Sequence, residues 1–595
     1  MNEQSDNFLE NIHRVDYLTP YAEPRVDASS MIDLALREVE SLDGQWHFAI
    51  DPYDTCLRAR WFEEVYEDAD GRQYPVDFSF DQWPTTPVPS CWNVQDPQWL
   101  WYEGSAVYVR NFEYVTESAE ERVFLCFGAA AQAAYVFLNG EYLGWHLGAS
   151  TPFRFEVTGK LRADNRLLVV VNNTRKPDRV PTDNTDWFNY GGLHRGVGLL
   201  RVPRTFVNTA SVALRPDGAF STVEVRLTVD GPEIDGRAEV SIPELGFNEL
   251  VEVSGGVGAE EFDLKPELWG PDNPKLYDVR IRYGADEWRE RIGFREIKVV
   301  GSDILLNGEA LFLKGVCQHE ESVEHGRTLT EAEIRQNMAL AKEMGCVYMR
   351  LAHYPHDPLA ARIADEVGML LWEEVPVYWA VLFDSPEVFA DADNQLRELV
   401  MRDRNRASVI IWSVGNENAD TAARLDFMSR LVDTCRALDP TRLVSAACLV
   451  DNVNLVIADR LADKLDVIGI NEYYGWYEPD FSRLPRLFSN SSPTKPVVIC
   501  EFGADGVAGL RGDPDQMFTE DHQLSVYARQ IEVLGAIPYI RGVSPWILYD
   551  FRCPRRVHVR QGYYNRKGLL SADKTHRKLS YEAMKTWYTS MEAVS

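Results

Sequence analysis

Val409-Ile-Ile-Trp-Ser-Val-Gly-Asn-Glu417 begins as a short run rich in β-branched residues, with no turn residue between Val409 and Val414. A run of that length and composition reads as a strand buried on both faces. It then turns polar and ends on a carboxylate. A carboxylate at the mouth of a buried strand is costly unless paired or hydrogen-bonded, and its pKa tends to rise. Pro496-Val-Val-Ile-Cys-Glu501-Phe-Gly503 repeats the design. Two apolar strands, each delivering one Glu from its carboxyl end, suit paired-carboxylate chemistry.

Outward from these two segments, apolar runs alternate with helical patterns through the last part of the chain. The runs are 311–316, 346–351, 369–372, 409–414, 443–447, 467–470, 496–500 and 543–548. Between them lie stretches such as Thr330-Glu-Ala-Glu333, which reads as a capping box. This alternation predicts a (β/α)8 TIM barrel over residues 299–595, with chemistry at the carboxyl ends of the strands. Glu417 then ends strand four and Glu501 ends strand seven. Cys500, one residue before Glu501, is expected to point away from the pocket, because a strand alternates faces.

Upstream of 299 the chain reads as β throughout. Gly44-Gln-Trp46-His-Phe48, Tyr135-Val-Phe-Leu138 and Leu167-Leu-Val-Val-Val171 are short, β-branched and aromatic, and Asn139-Gly140 is a strong hairpin signal. Residues 1–205 are expected to form a jelly-roll β-sandwich. Residues 206–298 have the length and alternation of an immunoglobulin-like β-sandwich, as in Thr222-Val-Glu-Val-Arg-Leu-Thr-Val229.

Composition narrows the function. The formal net charge of −31 argues against binding a nucleic acid backbone, and an anionic ligand would need a local basic pocket. The polar, acidic start Met-Asn-Glu-Gln-Ser-Asp-Asn-Phe lacks the basic and apolar regions of a secretory leader, and no apolar run approaches membrane-spanning length. Nine cysteines are scattered without a CxxC pair and read as reduced, small hydrophobes. A cytoplasmic, membrane-free bacterial protein is expected. Gly255-Gly-Val-Gly258 lies among β segments, so no phosphate-binding loop opens a helix.

Trp412-Ser-Val-Gly-Asn416-Glu417 and Glu501-Phe-Gly503-Ala resemble the acid/base and nucleophile motifs of glycoside hydrolase family 2. Leu268-Trp-Gly-Pro-Asp-Asn-Pro-Lys-Leu-Tyr277 and Gly293-Phe-Arg295 extend the resemblance to nearly the whole chain, as does the order of its three domains. It implies a retaining glycosidase with Glu417 as proton donor and Glu501 as nucleophile. It further implies that Asn416 bonds the sugar 2-OH, Tyr473 positions the nucleophile and Trp546 packs on the sugar. His353 lines the pocket, and Asp186, from the jelly-roll domain, accepts sugar hydroxyls.

The sugar is read from Arg560-Gln-Gly-Tyr-Tyr-Asn565-Arg-Lys567. Asn565-x-Lys567 resembles the motif with which the family's β-glucuronidases hold a sugar carboxylate, with Tyr477 touching the same group and Arg560 adding positive charge. An ammonium and an amide together suit a uronate in a partly dry pocket, whereas a neutral sugar would leave Lys567 buried and unpaired. The expected activity is exo-β-glucuronidase on small-molecule or oligosaccharide β-glucuronides. β-Galacturonidase, alone or combined, is the nearest alternative and β-galactosidase a more distant one. No cofactor is implied, and a homo-oligomer is expected. His319 and His353 end strands one and two, but strand one lacks the His-x-His of a barrel metallohydrolase, so no metal is expected. Two features depart from the β-glucuronidase pattern. The connection from Pro376 to about Asp393 is short, which implies an open pocket. Trp546-Ile-Leu-Tyr-Asp-Phe-Arg552 lacks an Asn and gains Arg552, followed by Arg555 and Arg556.

Overall fold

A computed structural model describes residues 18–592, apart from 64, 68, 69, 76–78, 81 and 119. The start read above as lacking a leader lies outside the described residues. The chain forms two compact units. One contains Val39–Thr174 and Tyr190–Arg201. The other contains Arg175–Asn189 and everything from Val202 onward.

The first unit holds two antiparallel sheets, of four and six strands. At the centre of the larger sheet, Asp164–Asn172 pairs with Ser105–Glu113 on one side and Ala133–Leu138 on the other. Leu167, Val169 and Val171 face a core with Trp46, Tyr108 and Val136. Leu168 and Val170 face a second cluster with Phe62 and Phe137. Both faces are covered, which explains the unbroken apolar run in the sequence. Asn139 and Gly140, with φ of 54° and 84°, make the hairpin turn between Leu138 and Glu141.

In the second unit, seven antiparallel strands between Phe206 and Ile292 form the immunoglobulin-like layer. Val223, Val225, Leu227 and Val229 alternate inward onto Val240, Ile281 and Trp288. The segment after it anchors the barrel. The buried Arg295 guanidinium donates to the carbonyls of Val409 (2.6 Å), Ala407 (3.1 Å) and Thr441 (2.9 Å), so it fixes the start of the strand that ends at Glu417. Trp269 Nε1 donates to the Asp365 carbonyl at 2.9 Å.

Eight parallel strands close a barrel. They are numbered β1 (Leu313–Gln318), β2 (Tyr348–Leu351), β3 (Leu370–Glu374), β4 (Val409–Asn416), β5 (Leu443–Cys448), β6 (Ile468–Asn471), β7 (Val497–Glu501) and β8 (Ile540–Val543). Helix Glu331–Glu343 carries the expected capping box, with the Thr330 side chain and Glu333 bonded reciprocally. Two readings need correction. The eighth strand ends at Val543, where the sequence suggested it began: Pro545 has no N–H for a ladder, and Arg541 with Gly542 disguised the true strand. Between β5 and β6 a 3-10 turn, Arg460–Asp463, stands where a helix was expected. All nine cysteines are buried and unbridged. Among the described residues no helix is long and apolar enough to cross a membrane.

Candidate active site

β4 and β7 place their two glutamates at the same mouth. Glu501 is the last residue of β7, and Glu417 is the first residue beyond β4. Glu417 has φ of 52°, a left-handed conformation that few residues other than glycine adopt and that concentrates at functional sites. Its Oε1 accepts from Asn471 Nδ2 at 3.0 Å, and its Oε2 from Trp379 Nε1 at 2.7 Å. Asn471 Nδ2 also reaches Asn416 Oδ1 at 3.1 Å. Arg350 Nη2 donates to that same oxygen at 2.8 Å, and Arg350 Nη1 donates to Glu501 Oε1 at 2.7 Å. A single chain of hydrogen bonds, Glu417–Asn471–Asn416–Arg350–Glu501, therefore joins the two carboxylates.

Their surroundings differ. Glu501 accepts from Arg350 and, through Oε2, from Tyr473 OH at 2.6 Å. Among the described residues no cation is bonded to Glu417. Burial of its carboxyl group, then the charge on Glu501, raises its pKa above the usual carboxylate range. One carboxyl is thus held towards its protonated form beside a carboxylate bonded to a guanidinium. That is the division of labour acid/base chemistry needs.

Behind Arg350 lies a buried carboxylate the sequence reading passed over. Glu374, at the end of β3, receives Arg350 Nε at 3.1 Å and Nη2 at 3.0 Å, and Trp372 Nε1 at 3.0 Å. Its Oε1 also lies 2.7 Å from His353 Nδ1. Burial alone would raise its pKa, but Arg350 and His353 outweigh that and hold it at about 2. His353 Nε2 then faces Glu501 Oε1 at 3.8 Å. His353 stacks on Trp546 at 4.9 Å and 22°, while His319 packs edge-on to Trp546 at 5.2 Å. Burial, then the neighbouring His353, pushes the His319 pKa well below its ordinary value, so the ring is neutral; its Nε2 is buried without a partner. The amide Nδ2 of Asn416 is likewise buried and unsatisfied, a donor beside both carboxylates.

Lys567 sits against the other side of Tyr473. Its Nζ lies 5.7 Å, 5.4 Å and 4.8 Å from the ring centres of Tyr473, Trp476 and Tyr477. It donates to Tyr477 OH at 3.0 Å and to Asp505 Oδ1 at 2.9 Å. The expectation that Lys567 lacks a partner without an anionic sugar is therefore wrong. Asp505, fully buried and four residues past Glu501, is its counter-ion, and Gln561 holds the other Asp505 oxygen. An ammonium has three donors, so one remains. Burial would lower the Lys567 pKa, but Asp505 and Tyr477 outweigh it and the group stays charged.

Asn565 is buried, and its Oδ1 accepts from the Lys567 backbone N–H at 3.1 Å, so part of its amide shapes the loop. Asp186 belongs to the same compact unit as the barrel, not to the sandwich unit from which its segment departs. It pairs with Arg556 Nη2 and accepts weakly from Asn565 Nδ2 at 3.5 Å. Arg556 Nη1 reaches Tyr477 OH at 3.0 Å. The cluster's arginine is thus Arg556; Arg560 is exposed, and no side-chain bond joins it to Lys567. Trp187, next to Asp186, packs 5.6 Å from His353 and 4.9 Å from Tyr378. Cys500 Sγ points to the Val498 carbonyl, away from Glu501. Helix Pro386–Asp403 begins within the stretch read as the connection after β3, and the loop before it supplies Trp379. Arg350, Glu374, Trp379 and Asp505 were not given roles from sequence, while Arg556 was singled out there only as one of three arginines after strand eight that could alter how C-4 or the aglycone is read. Of those four only Arg350 had a signal, its place in the strand-two motif.

Comparison with known proteins identifies the family. Three family models match in succession: the glycosyl hydrolases family 2 sugar binding domain over residues 39–203, the glycosyl hydrolases family 2 model over 205–295, and the family's TIM barrel domain over 297–592. A β-glucuronidase of Paenibacillus borealis is 28% identical over 93% of this chain and 98% of its own. That of Mus musculus is 28% identical over 90% of this chain and 88% of its own. Among solved structures, Bifidobacterium dentium β-glucuronidase complexed with coumarin-3-O-glucuronide superposes with a TM-score of 0.81 at 25% identity, covering 93% of this chain and 97% of that one. An Eisenbergiella tayi β-galacturonidase bound to galacturonate gives 0.78 at 26%, covering 94% and 99%. The chain belongs to glycoside hydrolase family 2 and is a glycoside hydrolase acting on a carbohydrate substrate.

Proposed function

We propose that the protein is a retaining exo-β-glucuronidase. One observation carries the reading: the Lys567 ammonium, boxed by three aromatic rings with one donor unspent, shares Tyr473 with Glu501. A uronate whose anomeric carbon faces Glu501 would present its C-6 carboxylate to that donor. Glu501 attacks the anomeric carbon while Glu417 gives its proton to the leaving oxygen. The glycosyl-enzyme ester is then hydrolysed by water that Glu417 deprotonates. Arg350 and Tyr473 hold Glu501 aimed. Asn416 Nδ2 donates to the sugar 2-OH, Trp546 with His353 and His319 walls the ring, and Asp186 accepts a ring hydroxyl. Tyr477 and Asn565 complete the carboxylate end; exposed Arg560 contributes at most a distant charge.

A second reading, β-galacturonidase alone or combined, is favoured by Arg556. This cation, tied to both Asp186 and Tyr477, faces the hydroxyl-reading part of the pocket, and the likeness to the Eisenbergiella tayi enzyme supports it. A β-galactosidase stands further off, because a neutral sugar would leave the third Lys567 donor unmatched, although Asp505 makes that mismatch milder. Initial rates on aryl β-glucuronide, β-galacturonide, β-galactoside and β-glucoside decide among them. The glucuronide is expected to lead, and a galactoside that outpaced both uronides would overturn the reading.

A further inference from the structure

Between Asp550 and Asp573 the sequence holds six Arg or Lys residues and no acid, in a chain of net charge −31. Four of the six are neutralised or capped within the fold. Lys567 pairs with Asp505, Arg556 with Asp186, and Arg566 with Asp550 at 3.4 Å, while Arg552 donates to the Val323 carbonyl at 3.0 Å. Arg555 is different. It is exposed, and its side-chain partners are neutral: Nη1 donates to Asn184 Oδ1 at 2.5 Å, and the guanidinium lies 4.7 Å over the Trp379 ring. Among the described residues no carboxylate pairs with it.

Its location gives that charge a purpose. Trp379 Nε1 donates to Glu417 Oε2 at 2.7 Å, so the indole lies beside the carboxyl that protonates the leaving oxygen. Tyr378 covers the indole at a centroid distance of 4.5 Å. Arg555 lies over the same indole, and its exposure leaves the guanidinium open to solvent. A leaving group bonded through the oxygen that Glu417 serves would lie beside the indole that carries this cation. Arginine stacked on an aromatic ring keeps a planar fork of donors free for a carboxylate or sulfate.

We propose that Trp379 and Arg555 form the leaving-group subsite, and that it selects an aglycone bearing an anionic group, such as the next unit of an acidic oligosaccharide. This rests on the assignment of Glu417 as proton donor and not on the identity of the glycone. The test measures kcat/KM for paired aryl glycosides whose aglycone ring carries a carboxylate, a sulfonate or the neutral carboxamide, in the wild type, Arg555→Gln and Arg555→Lys. The wild-type preference for the anionic aglycones is expected to fall about three-fold in Arg555→Gln, the scale of an exposed ion pair, and to survive in Arg555→Lys. Raised salt should erase it in the wild type and in Arg555→Lys, and leave the Arg555→Gln ratio where it is. A gain confined to carboxylate or to sulfonate identifies which anion the subsite takes. An anionic-to-neutral ratio unchanged by Arg555→Gln overturns the proposal. The same pairs built on uronide and neutral glycones separate this outcome from a failure of the glucuronidase reading, which would alter the glycone preference and leave the aglycone ratio in place.

Discussion

The two ends of the pocket meet at Tyr473 yet are built on different principles. At the reacting end, Arg350 faces Glu501 and Glu374 together and reaches the amide of Asn416; all four groups are buried, with Nε on Glu374, Nη1 on Glu501 and Nη2 on both Glu374 and Asn416. That is a closed electrostatic network, held before substrate arrives. At the carboxylate end, Lys567 has a single counter-ion and an unspent donor, and Arg556 is committed to Asp186. Lys567, Arg556, Asp505 and Asp186 sum to zero charge, so the uronate of the proposed reading would meet a balanced cluster and not a bare cation. The reacting end is organised to bond one carboxylate to a guanidinium while burial raises the pKa of its neighbour. The far end is organised to keep an ammonium charged in a dry place.

The comparison is broken most severely at the reacting end. Glu501→Gln is expected to lower turnover of every accepted glycoside by about a thousand-fold or more while the fold survives, since the amide keeps the shape but cannot attack. A circular-dichroism melt beside the rate assay checks both halves. Near-normal rates would remove Glu501 from its role.

Lys567→Ala should instead split the substrates. Loss of a buried charged hydrogen bond is expected to cost the uronide about a hundred-fold in kcat/KM and the matching glucoside far less. Equal losses on both would detach Lys567 from carboxylate recognition.

Asp505→Asn probes what keeps the ammonium charged. With Asp505 gone, burial and Arg556 act against the charge while Tyr477 is left to favour it, so the Lys567 pKa drops. Uronide kcat/KM should then decline as pH rises through the lowered value, by about ten-fold at the alkaline end. The glucoside profile should keep its shape. A pH-independent loss on both sugars would make Asp505 merely structural.

Trp379→Phe gives the smallest effect. The indole N–H favours ionised Glu417, so its removal raises the Glu417 pKa further. The alkaline limb of kcat/KM, where the acid must still hold its proton, should move up by about one pH unit at most.

Local pattern carried much of this in advance. The β4 run from Val409, the β7 run up to Cys500, the Asn139-Gly140 turn and the Thr330–Glu333 capping box are each set by neighbours in sequence, and the fold repeats them. β8 escaped because Arg541 and Gly542 interrupt its apolar signal, and the run after Pro545 imitates a strand. The positive φ of Glu417 was equally hidden, since nothing in a Glu codes for a left-handed backbone.

By itself, then, the sequence determined the strand and helix periods, the order of the three folds and the two glutamates at strand mouths, all features that depend on residues a few positions apart. Tertiary structure alone decided the partners. Lys567 meets Asp505 from 62 positions away, Arg350 meets Glu501 from 151, and Arg556 meets Asp186 from 370. Such pairs have no period to read. A buried charge takes whichever opposite charge barrel closure brings within reach, and that closure joins strands from opposite ends of the domain.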